Sequence, residues 1–193
     1  MSPQFETWKA KLKTLPGGTE EFEKWFFVAI AGVLFGEKAG ELLVLCSGQF
    51  GLSLEKQTEH IETLSPVWDF FYCIVCSKSS CVTIVIYDRE RVQKNLSEVS
   101  PWVYDQIGYP QIPDPTEFLE IVKDRCQIKG YIPDEIGIFI GYPIKDVLGF
   151  MGLLPLPCTG KCGWRIYGNP IPSILRSLRF RKAQEKATAF LEM

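Results

Sequence analysis

Apolar positions along this 193-residue chain follow two different periods, and the switches between them outline the elements. Val82-Thr83-Ile84-Val85-Ile86-Tyr87 is filled with β-branched and aromatic residues and predicts a strand. Trp68–Val75 predicts a second strand, and Ser77-Lys78-Ser79-Ser80 between the two has the length of a hairpin loop. Ile136, Ile138 and Ile140 alternate as in a third strand, with Gly137 allowing a close approach. Gly163–Tyr167 reads as a last short strand, and Glu41–Cys46 as either a helix extension or a strand.

Helical segments are bounded by recognisable starts and stops. Thr19 is expected to cap the next helix, with Glu20 and Glu21 in its first turn, where carboxylates suit the dipole. The run Trp25–Phe35 that follows reads as a buried helix, because about eleven apolar residues fall short of the roughly 20 that cross a bilayer. Ser53 opens a helix to about Leu64, where Pro66 is expected to reset the chain, and Asp88 caps another to about Leu96. Ser100-Pro101 starts a helix that stops at Gly108, and Asp114-Pro115-Thr116-Glu117 combines an N-cap, a first-turn proline and a capping-box glutamate before a helix ending at Gly130. Pro143 sits where the first residue of a helix over Ile144–Met151 would be. Leu153–Lys161 reads as a loop, and Asn169-Pro170 begins the C-terminal helix. Residues 1–18 read as a tail or loose first helix. Residues 19–193 then form a single α/β domain, a small mixed sheet of about four or five strands packed by helices.

Composition narrows the partners. A hydrophobic fraction of 46%, with 23% charged residues and a net charge of -2, is that of a globular protein with no general pull toward nucleic acid or an anionic membrane. Small molecules and proteins stay open as partners, and no cofactor is named by any motif. From Lys161 onward seven basic residues face only Glu185 and Glu192, a distribution read as a solvated basic face on the last helix. The expected location is the cytoplasm, where the seven cysteines would be thiols or metal ligands.

The most specific stretch is Ile132-Pro133-Asp134-Glu135-Ile136-Gly137, then Phe139-Ile140-Gly141-Tyr142-Pro143, Asp146-Val147 and Gly149-Phe150, followed by Trp164-Arg165-Ile166-Tyr167-Gly168-Asn169. In content and order it resembles the bacterial family known as domain of unknown function 3793. Weaker similarity lies in Phe35–Leu42 and in Ile86-Tyr87-Asp88-Arg89. The chain departs from the family pattern at Asp134, where a histidine is expected, at Lys145, where an acid is expected, and at Ile30, where a cysteine is expected. The resemblance implies a family and carries no activity with it.

Candidate chemistry gathers in three places. At Gly141-Tyr142-Pro143 a strand entering a helix would leave backbone N–H groups beside an aromatic ring, a place for a small anionic ligand or cofactor. Lys38, Arg89, Tyr142, Arg165 and Tyr167 are the residues expected to converge there, with Glu135 as a candidate general base if its surroundings tune it. The alternative is a thiol or metal site built from Cys73, Cys76, Cys81, Cys158 and Cys162, in which Cys76 and Cys81 would face each other across the hairpin. A non-catalytic interaction module is the third reading. His60, the only histidine, lies in a polar helical stretch and is expected to face solvent.

Overall fold

The computed structural model describes residues 2–193. Its elements in chain order are α1 (Pro3–Leu12), α2 (Gly17–Ala29), α3 (Ala31–Phe35), β1 (Gly40–Cys46), α4 (Leu54–Trp68), β2 (Phe71–Lys78), β3 (Cys81–Tyr87), α5 (Arg89–Ser97), α6 (Pro101–Ile107), α7 (Pro115–Lys129), α8 (Ile136–Phe139), α9 (Ile144–Phe150), β4 (Cys158–Lys161), β5 (Arg165–Tyr167) and α10 (Ile171–Glu192). The α/β class is as expected. Five strands are present, divided between an antiparallel three-stranded sheet of order β1-β3-β2 and an antiparallel β4-β5 hairpin.

The central strand explains the layering. β3 is bonded on both edges, and its alternate residues face two separate cores. Ile84 and Ile86 join Leu43 and Leu45 against α1, α2, α4 and α10. Val85 and Tyr87 join Val75 against the helices from α5 to α9. A strand covered on both faces needs apolar residues at successive positions, which is why Ile84–Tyr87, all buried, carries no polar alternation. The first core is largely aromatic: Trp68 lies edge-on to Trp8 with centroids 4.8 Å apart and edge-on to Phe27 at 5.4 Å.

The caps expected at Asp88 and Asp114 are in place, whereas Thr19 lies inside α2, which already starts at Gly17 after Pro16. Asp88 Oδ1 accepts the Arg91 N–H at 2.9 Å, and Asp114 with Glu117 forms a reciprocal capping box. Other expectations are corrected. α4 passes through Pro66 to Trp68. A proline in the last turn removes only one helical hydrogen bond, and burial of the Trp68 ring at 2% exposure holds that turn in place. β2 therefore starts three residues later than expected, at Phe71, and only Ser79 and Ser80 separate it from β3. Leu153–Lys161 is not all loop, since β4 lies within it. α1, read as a tail or loose helix, buries Phe5, Trp8 and Leu12 in the aromatic core.

Ile136–Ile140 is the main reversal. It is the short helix α8 with a following turn, and all five residues are buried. Phe139 is as buried as the isoleucines around it, so the segment is apolar on every side, and a short run of that kind has no period to separate strand from helix.

Removing residues 2–12 should cost at least about 3 kcal/mol of unfolding free energy, because it empties the positions of Phe5 and Trp8 and strips the Trp8 N–H from the buried Glu23 carboxylate, 2.7 Å away. Urea denaturation followed by tryptophan fluorescence and circular dichroism measures it. A truncated protein as stable as the full chain would show that α1 is dispensable.

Candidate functional site around the Tyr142–Trp164 stack

The signature segment folds into α8, a tight corner and α9. Gly141 has a φ of +85°, and a Cβ there would come within 3.2 Å of Ala39 Cβ, so the corner needs glycine for both backbone and space. Its donors are spent internally: Gly141 N–H bonds Ile138 O, Tyr142 N–H bonds Gly137 O, and Pro143 has none. The Gly141 carbonyl accepts from Arg176 Nη1 at 2.8 Å. The corner is thus a junction between two short helices, and its own main-chain donors are used within it.

Asp146, in the first turn of α9, holds the side chains beside it in place. Its side chain is 1% exposed and accepts four hydrogen bonds. Oδ1 accepts from Lys145 Nζ at 2.6 Å and from the Tyr167 main-chain N–H at 2.8 Å. Oδ2 accepts from Trp164 Nε1 at 2.8 Å and from Ser173 Oγ at 2.5 Å. Lys145 Nζ also reaches Tyr167 O and Ser173 Oγ. One carboxylate therefore ties α9 to β5, α10 and the Trp164 ring. Burial by itself would raise its pKa, but the donors from Lys145, Ser173, Tyr167 and Trp164 outweigh it and hold the group below the ordinary 3.8.

With its Nε1 anchored, Trp164 stacks on Tyr142 at a centroid distance of 4.4 Å and an interplanar angle of 20°. The stack forms a wall shared by two clefts. The larger, of about 650 Å³, lies toward α10 and contains Lys38, Glu41, Lys161, Cys162 and Arg181. Lys38 is 6% exposed, with Nζ 2.8 Å from Glu41 Oε2, 5.6 Å from the Tyr142 ring centre and 5.2 Å from that of Phe180. Burial, then the nearby Glu41 carboxylate and Cys162 thiol, push the Tyr142 phenol up to about 12, so it is a neutral hydroxyl at physiological pH. The smaller cleft, of about 360 Å³, is mainly apolar, with Ile136, Ile140, Val147 and Phe150 inside and Asp134 and Arg165 among its lining.

The other sequence candidates are dispersed. Arg165 is exposed, 5.6 Å from the Phe150 ring centre. Tyr167 does not present its hydroxyl to either cleft; its ring packs against Gly149, where a Cβ would come within 2.5 Å of it. Arg89 is exposed in the first turn of α5, in a separate surface depression with Glu90 and Lys94. Glu135 is buried and held by an ion pair with Arg125, which also donates to the carbonyls of Ile107 and Gly108. Its carboxylate is engaged in tying α7 to the signature, away from both clefts.

The cysteine cluster is taken apart. Cys81 is bonded to Cys46 and Cys76 to Cys126, while Cys73, Cys158 and Cys162 are free. The tight turn sets Cys81 opposite Lys78, so it cannot face Cys76 across the hairpin. Among the described residues no group of three or more histidine, cysteine, aspartate or glutamate side chains is arranged to hold a metal ion. His60 is half-buried, its Nδ1 3.0 Å from Glu23 Oε1.

The model of DUF3793, described as a protein of unknown function, matches residues 26–193. The chain belongs to the DUF3793 family. No curated protein and no solved structure matches it. Every residue of the two clefts lies within the part matched by DUF3793. Sequence reasoning selected Lys38, Tyr142 and Arg165 from this DUF3793 site and missed Glu41, Asp146, Trp164 and Arg181 as members. Asp146 and Trp164 stand inside the signature, so their signal was present, but α10 is brought over the cleft only by folding.

Asp146→Asn should lower stability at pH 7 by about 3 kcal/mol, because Lys145 loses its charged partner in a buried network. The folded pKa lies below the unfolded one, so the carboxylate's contribution is complete above about pH 4 and is lost as pH falls through the folded value. The gap between wild type and variant should therefore narrow under acid. Urea titrations at pH 7 and pH 3 measure both, and a gap independent of pH would remove the ionised carboxylate from this role.

Proposed function

We propose that this protein binds a small anionic ligand carrying a planar or apolar group in the cleft between the Tyr142–Trp164 stack and α10. The observation that carries the reading is the buried Lys38 ammonium beneath two aromatic rings, paired with Glu41, in a cleft that also holds Arg181, paired with the exposed Glu185, and Lys161, which has no ion-pair partner among the described residues. Glu41 matches the buried Lys38 charge, and the positive charge left over at the cleft, that of Lys161, is complementary to an anion. The stacked rings supply a flat apolar wall whose orientation Asp146 fixes through the Trp164 N–H. This moves the ligand from the corner's backbone to the side chains beside it. A cytoplasmic setting is part of the same proposal. Because paired cysteines persist chiefly in oxidising compartments, finding both disulfides intact in acid-quenched whole cells would count against it.

A thermal-shift screen against nucleotides, flavins, tetrapyrroles and anionic metabolites tests the reading. The expected result is a hit that weakens with salt and whose affinity falls by about tenfold or more in Lys38→Met, with a smaller loss in Lys161→Ala. A ligand whose neutral analogue binds as tightly, or whose binding ignores both lysines, would overturn it.

A further inference from the structure

A third cleft, of about 350 Å³, lies between β2 and the end of α7 and has the Cys76–Cys126 disulfide in its wall. It is separate from the Tyr142–Trp164 site and shares no residue with it. The bulge between Ile74 and Cys76 breaks the two-residue alternation of β2 and brings Cys76 to the α7 side, although Cys73 three residues earlier also packs toward that core. Two lysines share the cleft with the disulfide. Lys78 is two residues beyond Cys76 on the strand and so on its face. Lys123 is three residues before Cys126 on the helix and so beside it. No carboxylate lines this cleft, and neither lysine has an ion-pair partner among the described residues. Cys76 is partly exposed, whereas Cys126 is 2% exposed.

We propose that Cys76–Cys126 is a thiol-exchange site for an anionic low-molecular-weight thiol, which Lys78 and Lys123 attract and orient toward Cys76 Sγ. The incoming thiolate attacks that sulfur, and the Cys76–Cys126 bond breaks as a mixed disulfide forms at Cys76. The bonding electron pair leaves on Cys126 Sγ, which takes a proton from water. A second thiolate then attacks the mixed disulfide, releasing Cys76 as thiolate and the small thiol as its disulfide. In sum, two small thiols are oxidised and one protein disulfide is reduced. The C-terminal end of α7 disfavours an anion at Cys126, so the two lysines have a charge to offset, and their removal should be felt. Opening the bond would also release the helix turn that carries Arg125, the partner of Glu135 in the signature.

Reduction of the 193-residue chain, first oxidised with excess glutathione disulfide, tests this. Quenched alkylation and peptide mass spectrometry follow the Cys76–Cys126 pair, with glutathione as the anionic thiol and 2-mercaptoethanol as the neutral one. Lys78→Gln/Lys123→Gln should slow reaction with glutathione by about tenfold while changing the 2-mercaptoethanol rate by no more than about twofold. Added salt should shrink the difference between the two proteins. A glutathione-to-mercaptoethanol rate ratio that is the same in both proteins overturns the proposal. So does failure of Cys76 and Cys126 to pair in the oxidised protein, or a native bond that neither thiol reduces although both reduce it in urea.

Discussion

A carboxylate placed almost wholly out of water must be surrounded by donors, and the surroundings of Asp146 organise the C-terminal part of this protein. Its four hydrogen bonds come from α9 itself, the β4–β5 hairpin, the main chain of β5 and the first turn of α10. Those elements are short or widely separated in sequence, and β5 has only three residues. A two-stranded hairpin of that size is marginal without outside support. The Asp146 network supplies the support and at the same time sets the Trp164 ring against Tyr142. The stack is the common wall of both clefts, so their shapes depend on the ionised state and position of this one group.

The three-stranded sheet does complementary work. Because β3 is buried on both faces, the molecule has two cores, and the elements of the candidate site come from both sides. Lys38 follows α3, whose Ala31 lies in the aromatic core, while Tyr142 belongs to the opposite layer. They meet at the edge of the sheet, where Gly40 N–H bonds Ile140 O and the signature corner closes against Ala39. α10 then crosses over, packing on α3 and closing the cleft with Phe180 and Arg181. The basic residues of the last helix thus have unequal surroundings: Arg179 pairs with Glu37 at the surface, and Arg176 holds the corner carbonyl.

Buried charge is treated differently at the two ends of the signature. Glu135 is neutralised by Arg125 and shielded from both clefts, which makes it a tie between α7 and the segment entering α8. Lys38 has one carboxylate and two ring faces but still borders an open cleft. The first is enclosed by protein, whereas the second stays beside open space. This distinction could not be drawn from residue type, since both positions read as charged residues beside apolar runs.

By itself the sequence determined the α/β class, the Val82–Tyr87 strand and the helices capped by Asp88 and Asp114, because each rests on local chemistry: β-branched content, an Asp before a helix, a proline in its first turn. It also marked the signature as the place to look. Tertiary structure decided whether Ile136–Ile140 was strand or helix, since a run buried on all sides has no periodicity to report. It decided the cysteine pairing through one tight turn and one bulge, neither visible as a pattern. It also decided which charges meet: Lys38 beneath Tyr142 and Phe180, and Asp146 with Trp164 and Ser173. Those partners are far apart along the chain, and only packing of the helices over the sheet brings them together.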